Sequence, residues 1–368
     1  MHQLSSNLVN IKLLLNDVGY KRNNDTTAIG LMSYSGLQSL QLMPELCKLL
    51  QDTFNLAEAG FFWSDIDGNF QDAWCTAPHF LSFDVIASCA QYQASGNRTW
   101  PTFTENVLMG AVCGYLLPFQ NARFYASEHY EKCYAKIGVR HVLDLVLHDG
   151  VRPYGSFLLM RSAENGPFKP DERSYLEKLI PTITAAFSPV KRSEVAYSDQ
   201  TNDGFALISR EGKTTFMDTK AASVAWALTY ETPFAFARPD APKLSENLNE
   251  IIKPYISRAL TGERFSWVIE NRWGRFNLSF NQQYESDQIM LHMSKSTPLY
   301  TQIINKLHKL DLPPMRQMVA LLLVLNHTRQ EIASALGITL ETATSHIKTL
   351  YKESNTQSSH ALLLKLIG

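Results

Sequence analysis

Residues 328–350 read TRQEIASALGITLETATSHIKTL, and this stretch decides the architecture of the C-terminal end. Thr328 and Glu331 have the spacing of a capping box, in which hydroxyl and carboxylate satisfy each other's orphan backbone N–H groups at a helix start. Ile332, Ala333 and Leu336 follow as the buried face of a short helix. Gly337 permits a tight turn. Thr339 then caps a second helix, expected to run to about Lys352 with Ala343, Ile347 and Leu350 inward. Two short helices joined at a glycine make a helix-turn-helix.

Upstream, Pro313 or Pro314 suits a first helical turn, where a missing N–H costs nothing. Val319, Leu322, Leu323 and Leu325 supply the buried contacts of that helix, and Asn326 tolerates the left-handed conformation that ends it. Downstream, Asn355 marks another end, and Ser358 or Ser359 caps a last helix through Leu366. Residues 305–368 are therefore expected to form an all-α, four-helix domain. That segment holds seven basic residues (Lys306, Lys309, Arg316, Arg329, Lys348, Lys352, Lys365) against four acidic ones (Asp311, Glu331, Glu341, Glu353), a charge of +3. The rest of the chain carries −4, which restores the overall −1. Positive charge concentrated at one end is the pattern of a nucleic-acid tail on an acidic body.

From Leu312 to about Leu363 the residues resemble, without gaps, the LuxR-type (GerE-like) regulators. The likeness rests on Leu312-x-Pro314, Thr328-x-x-Glu331-Ile332-Ala333, Leu336-Gly337-Ile338 and Thr342-x-x-x-His346-Ile347. The resemblance implies a second helix lying in the major groove of double-stranded DNA, with dimers on two-fold related half-sites. It places Thr328 and Thr342 at phosphates, Thr344, Ser345 and Lys348 at bases, and Lys352 near the backbone. The chain departs from the family where Thr344 replaces a common Lys, near Ser359 where Arg is common, and at Arg316 and Met318 where Glu is common. With fewer cations for phosphates, weak non-specific binding is expected.

The whole sequence has 368 residues, 45% apolar and 19% charged, which gives material for two or three packed domains and argues against extensive disorder. Working back from the C-terminal unit, the expected fold class is α+β. Residues 1–190 form one α+β unit with N-terminal helices, and 200–296 a second. In the first, Leu4, Leu8, Ile11, Leu15 and Val18 make a heptad-like stripe, Lys21–Thr27 reads as a loop, and Leu37–Leu56 as a helix. Ala59–Trp63 with Phe70–Trp74, and Val142–His148 with Tyr154–Met160, read as hairpins. A helix opens at Pro170 with Leu176, Leu179, Ile180, Ile183 and Phe187 on one face. Polar Ser188–Asp203 reads as a linker. The second unit shows a hairpin (Phe205–Ser209, Thr214–Met217), a helix (Ala221–Leu228) and a three-strand meander (Phe265–Ile269, Phe276–Phe280, Gln288–Met293). Gly138-Val139-Arg140-His141 to Gly155, then Arg161, Pro167-Phe168 and the long helix resemble a GAF-type sensor; Gly204–Ser294 resembles a PAS-type domain.

Aromatic density in the first unit suggests a pocket for a small apolar or amphipathic signal molecule, with Trp63, Trp74, Tyr115, Phe119, Tyr130 and Tyr134 as its lining. His129 and Cys133 stand i, i+4 on one helix face, but zinc sites usually show tighter pairing, so neither metal nor cofactor is expected, and a metal- or haem-dependent redox sensor is the lesser alternative beside a DNA-binding regulator and a partner-sequestering protein. No nucleophile–base constellation or phosphate loop stands out, so no enzyme is expected. The five cysteines (47, 75, 89, 113, 133) form no C-x-x-C pair. The start lacks a basic stretch with a cleavage site, and the longest apolar run, Met318–Leu325, is too short for a membrane span. A reducing cytoplasm is the expected location. A homodimer is expected through the Leu4–Val18 stripe, with the Leu176–Phe187 helix as a second candidate surface.

Overall fold

The computed structural model describes residues 23–77, 85, 88–89, 91–92, 98, 100–187, 195–229, 244–261, 264–282 and 288–367. It is an α+β chain with two antiparallel sheets followed by a helical C-terminal unit. No helix among the described residues is long and apolar enough to cross a membrane. The Leu4–Val18 stripe lies outside the described residues.

The first sheet contains β1 (Glu58–Ser64), β2 (Phe70–Cys75), β3 (Val112–Cys113), β4 (Val139–His148) and β5 (Pro153–Ser162), in the order β2-β1-β5-β4-β3. Both expected hairpins form, with Phe61 opposite Trp74 and Leu145 opposite Phe157. Their turns are closed by aspartates. Asp65 accepts from the N–H groups of Asp67 and Asn69, and Asp149 from those of Val151 and Arg152. Six consecutive residues of β4, Val142–Leu147, are buried, and successive strand residues face opposite sides. Both faces of this sheet are therefore covered. Helices α1 (Asn23–Ser33), α2 (Ser39–Phe54) and α6 (Pro170–Thr184) pack here, as do the short α3 (Phe103–Val107), α4 (Ala122–Tyr125) and α5 (Glu128–Cys133). Arg161 joins the layers: its guanidinium meets both carboxylate oxygens of Glu172 on α6 at 2.8 and 3.0 Å and donates to the Phe54 carbonyl. Gly155 sits at φ +139°, and a Cβ there would come 2.1 Å from the Phe62 carbonyl oxygen, so β5 admits only glycine at that point.

Three expectations change. The Lys21–Thr27 loop is in part helix: α1 begins at Asn23, and Thr26 and Thr27 are fully buried, with the Thr26 hydroxyl 3.0 Å from that of Tyr175. The Ser188–Asp203 linker is shorter, because β6 starts at Tyr197 and pairs with a distant strand. The apolar face of α6 is buried against β4 and α1, so Leu176, Leu179, Ile180 and Ile183 are spent inside the chain and offer no surface to a second copy.

The second sheet contains β6 (Tyr197–Ser209), β7 (Thr214–Met217), β8 (Phe265–Asn271), β9 (Gly274–Gln282) and β10 (Gln288–Pro298), in the order β7-β6-β10-β9-β8. Counted within each unit, this repeats the strand order of the first sheet. Helix α7 (Thr219–Thr229) and a further helix, α8 (Leu244–Leu260), cover one side. The other side leaves Phe205, Phe216 and Met290 exposed.

The two units meet through tryptophans. Trp63 and Trp74 of the first pack edge-on or tilted against Trp226 and Trp273 of the second, with ring centroids 5.2–5.9 Å apart across the group. Arg272 reaches Asp72 at 2.5 Å in the same joint. The Lys295 ammonium lies 5.2 Å from the Trp74 ring centre, and burial lowers its pKa to about 8.

Strand β10 ends at Pro298 and helix α9 (Leu299–Lys309) begins at the next residue. Helix α9 packs against α1, where His308 Nε2 stands 2.7 Å from Asp25 Oδ1 and Asn24 donates to Asp311 at 2.6 Å. The C-terminal helices follow directly: α10 (Pro314–Val324), α11 (Arg329–Leu336), α12 (Leu340–Ser354) and α13 (Ser359–Ile367).

Candidate nucleic-acid interface

Helices α11 and α12 are set by the capping chemistry read in the sequence. The Thr328 N–H donates to Glu331 Oε2 at 2.7 Å, and the Glu331 N–H donates back to Thr328 Oγ1 at 3.3 Å. These contacts hold the Glu331 carboxylate below its usual pKa. Gly337 ends α11 at φ 57°, in the left-handed region. Thr339 accepts from the Thr342 N–H at 3.1 Å and opens α12. Ile332, Ala333 and Leu336 face Ala343, Ile347 and Leu350 in the buried seam, against α10.

With that seam inward, the outer face of α12 presents Glu341, Ser345, Lys348 and Lys352, at helical steps of four, three and four, all exposed. No hydrogen bond or ion pair holds Lys348 or Lys352 among the described residues. Thr344 is half-buried at the margin of this face, and Thr342 is exposed at its front with its hydroxyl 2.9 Å from that of Thr339. Thr328 is committed to its capping box. Of the residues assigned to DNA by resemblance, Ser345, Lys348 and Lys352 thus share one open stripe, Thr342 and Thr344 border it on the same helix, and Thr328 stands at the start of α11.

Two cations are withdrawn from this surface. Arg316 on α10 pairs with Glu353 on α12, and Lys365 donates to the Ser354 carbonyl at 2.6 Å at the end of α12. Burial, aided by Arg316, lowers the His346 pKa below the ordinary histidine value. Glu341 places a negative charge among the lysines of the stripe.

The six aromatics expected to line a signal pocket are divided among three places. Trp63 and Trp74 belong to the joint between the sheet units. Tyr130 and Tyr134 pack around Phe124, and the Tyr130 hydroxyl donates to the Val139 carbonyl at 3.0 Å. Only Tyr115 and Phe119 line a cleft, about 520 Å³ in volume, with Trp100, Asn121, Arg123 and the Arg98–Glu105 ion pair. Its walls are mixed, apolar rings beside charged groups.

A feature that spacing concealed lies next to this cluster. Cys89, 44 residues upstream of Cys133, has its sulfur 3.7 Å from the Cys133 sulfur, which is itself 3.5 Å from His129 Nδ1. Hydrogen bonding from Cys89, then from His129, lowers the Cys133 thiol to about 5, while the shared proton and burial raise Cys89.

No family model and no curated protein matches the chain. Among solved structures it is similar to the phage VqmA–DPO complex, at 13% identity over 45% of this chain and 83% of that one, with a TM-score of 0.20. It is also similar to the Vibrio cholerae VqmA dimer, described among LuxR-type receptors, at 12% identity over 44% and 80% of the two chains, with a TM-score of 0.17. Superpositions this loose leave the functional reading to the chain's own residues.

Proposed function

We propose that this chain is a DNA-binding transcription regulator of the cytoplasm, with two sensory units, GAF-like and PAS-like, ahead of a LuxR-type reader. The observation that carries the reading is the exposed stripe of Ser345, Lys348 and Lys352 on the second helix of a capped helix-turn-helix. A helix presented this way fits the major groove, with its front at base edges and its flanks at phosphates. The mixed cleft at Tyr115 and Phe119 is of a size that suits a small molecule, and its charged rim favours an amphipathic signal. Strand β10 runs into α9 without a loop and α13 touches β6, so a shift in the second sheet has a direct route to the reader. The signal must bind two arrangements of the chain with different affinity to have this effect. The reading includes a homodimer on two-fold related half-sites and no catalytic step.

The test is a mobility shift with genomic fragments across a salt series. Each lysine that neutralises a phosphate adds about 0.9 to the slope of log K against log salt. Lys352→Ala is expected to lower the slope by about that amount per protomer. Lys348→Ala is expected to cost about 1–3 kcal/mol and to relax preference at one base position. The rival reading, an interaction protein that sequesters a regulatory partner without touching DNA, is favoured by Glu341 in the stripe and by the Arg316–Glu353 pair. Wild-type chain that retards no fragment at low salt decides for that rival.

A further inference from the structure

Cys89, His129 and Cys133 bring two sulfurs and an imidazole nitrogen within 4.8 Å of one another. Tetrahedral zinc binds thiolate at about 2.3 Å and imidazole at about 2.0–2.1 Å, which makes sulfur–sulfur edges of about 3.8 Å and sulfur–nitrogen edges of about 3.5 Å. The two edges found here, 3.7 and 3.5 Å, already have these lengths. A disulfide requires about 2.05 Å, so the sulfurs stand at coordination distance and not at bonding distance.

We propose that Cys89, His129 and Cys133 form a binding site for a thiophilic divalent cation of the zinc class, with a fourth position left for water or an exogenous ligand on the side of half-buried Cys89. Thiolates with imidazole select such an ion over magnesium or calcium, which take oxygen ligands. Two thiolates also neutralise a dication, so the buried site carries no net charge, and any thiol proton still held is lost to solvent on binding. His129 and Cys133 come from consecutive turns of α5, which sets their spacing rigidly. Surrounding groups fix the ligands in place. The His129 ring stacks on Tyr92 at 4.5 Å and 13°, Tyr134 and Phe124 meet its edges, and Ser88 hydrogen-bonds the Cys133 sulfur. The bound ion would tie the segment carrying Cys89 to the helix carrying Cys133. The site concerns α5 and not α12, so its test is independent of DNA binding.

The full chain, reduced with a phosphine and stripped with a chelator, would be titrated with Co²⁺ as the probe. One equivalent per chain should raise thiolate-to-cobalt bands in the near ultraviolet and tetrahedral bands in the visible. Zn²⁺ should displace them and Mg²⁺ should not. Cys89→Ser, Cys133→Ser and His129→Asn should each weaken cobalt binding at least about tenfold. Should a variant not fold, X-ray absorption on the zinc-loaded wild type decides, with sulfur neighbours expected at about 2.3 Å and nitrogen at about 2.0 Å. Reduced wild-type chain without cobalt bands overturns the proposal, as do bands that survive both serine variants or a zinc shell of oxygen alone.

Discussion

The two sheets share one strand order and differ in how they are enclosed. In the first, β4 is buried on consecutive residues and helices cover both faces; in the second, β8 alternates between exposed and half-buried, and Phe205, Phe216 and Met290 face outward. The contrast teaches that topology does not set chemistry here. The same ladder, closed on both sides, gathers the buried Arg161–Glu172 pair, a buried Asp144 and the cysteine–histidine cluster. Closed on one side, away from the joint, it leaves the Glu270–Arg275 pair in water. Polar groups in the first unit are therefore high-stakes and those on the open face of the second are not.

Substitutions can break that contrast, and the largest effect is expected at Arg161. Its pair with Glu172 is almost fully buried, with side chains 6% and 11% exposed. Arg161→Met leaves Glu172 charged and unpartnered by its guanidinium, and should cost about 3–5 kcal/mol in urea unfolding. A loss under 1 kcal/mol would show that the first sheet is as wet as the second.

A smaller effect is expected from pH. Burial raises the Asp144 carboxyl from 3.8 to about 6, against hydrogen bonds from the Leu116 N–H and other backbone groups. The native carboxyl keeps its proton to higher pH than the unfolded one. Its contribution to stability is thus complete below about pH 4 and is lost as pH rises through about 6, roughly 2–3 kcal/mol in all. Asp144→Asn retains an acceptor for Leu116 and should remove this dependence. Unfolding curves of the two proteins from pH 4 to 7 that run parallel would show Asp144 to be solvated.

The smallest effect is expected on the second sheet. Glu270 and Arg275 meet at 2.6 Å across β8 and β9, but their side chains are 56% and 43% exposed. Glu270→Gln should change stability by less than about 1 kcal/mol, and that small cost should shrink further as salt is raised. A cost near that of Arg161→Met would mean that the open face is covered in solution.

Legibility in the sequence followed local chemistry. The hairpin turns at Asp65–Asn69 and Asp149-Gly150 and the caps at Thr328, Gly337 and Thr339 act within a few residues, and each was readable from spacing alone. Ser345, Lys348 and Lys352 are named from the family resemblance, and the inward positions Ala343, Ile347 and Leu350 are consistent with their outward placement. Helix α8 was not foreseen, because Pro254 interrupts its middle; yet Leu248, Ile252 and Ile256 repeat at four-residue steps, and Pro254 stands on the exposed side. The start of β6 was hidden for another reason. Its residues are polar, and their strand conformation comes from pairing with β10, as Thr201 does with Ser296. Approach of distant segments was the least readable of all: nothing near Cys133 announces Cys89, and nothing near Trp63 announces Trp273.

Four of the six tryptophans in the chain stand in the joint between the sheet units, within one cluster, beside the ammonium of Lys295. Indole emission depends on solvent contact and on nearby charge, so four of the six indole emitters of this protein report on the place where its two sheets touch. Any rearrangement that parts the units will shift and change that emission, while movements confined to α10–α13, which hold no tryptophan, will leave it alone. The chain thus carries an unlabelled optical gauge for one of its joints, silent toward the other.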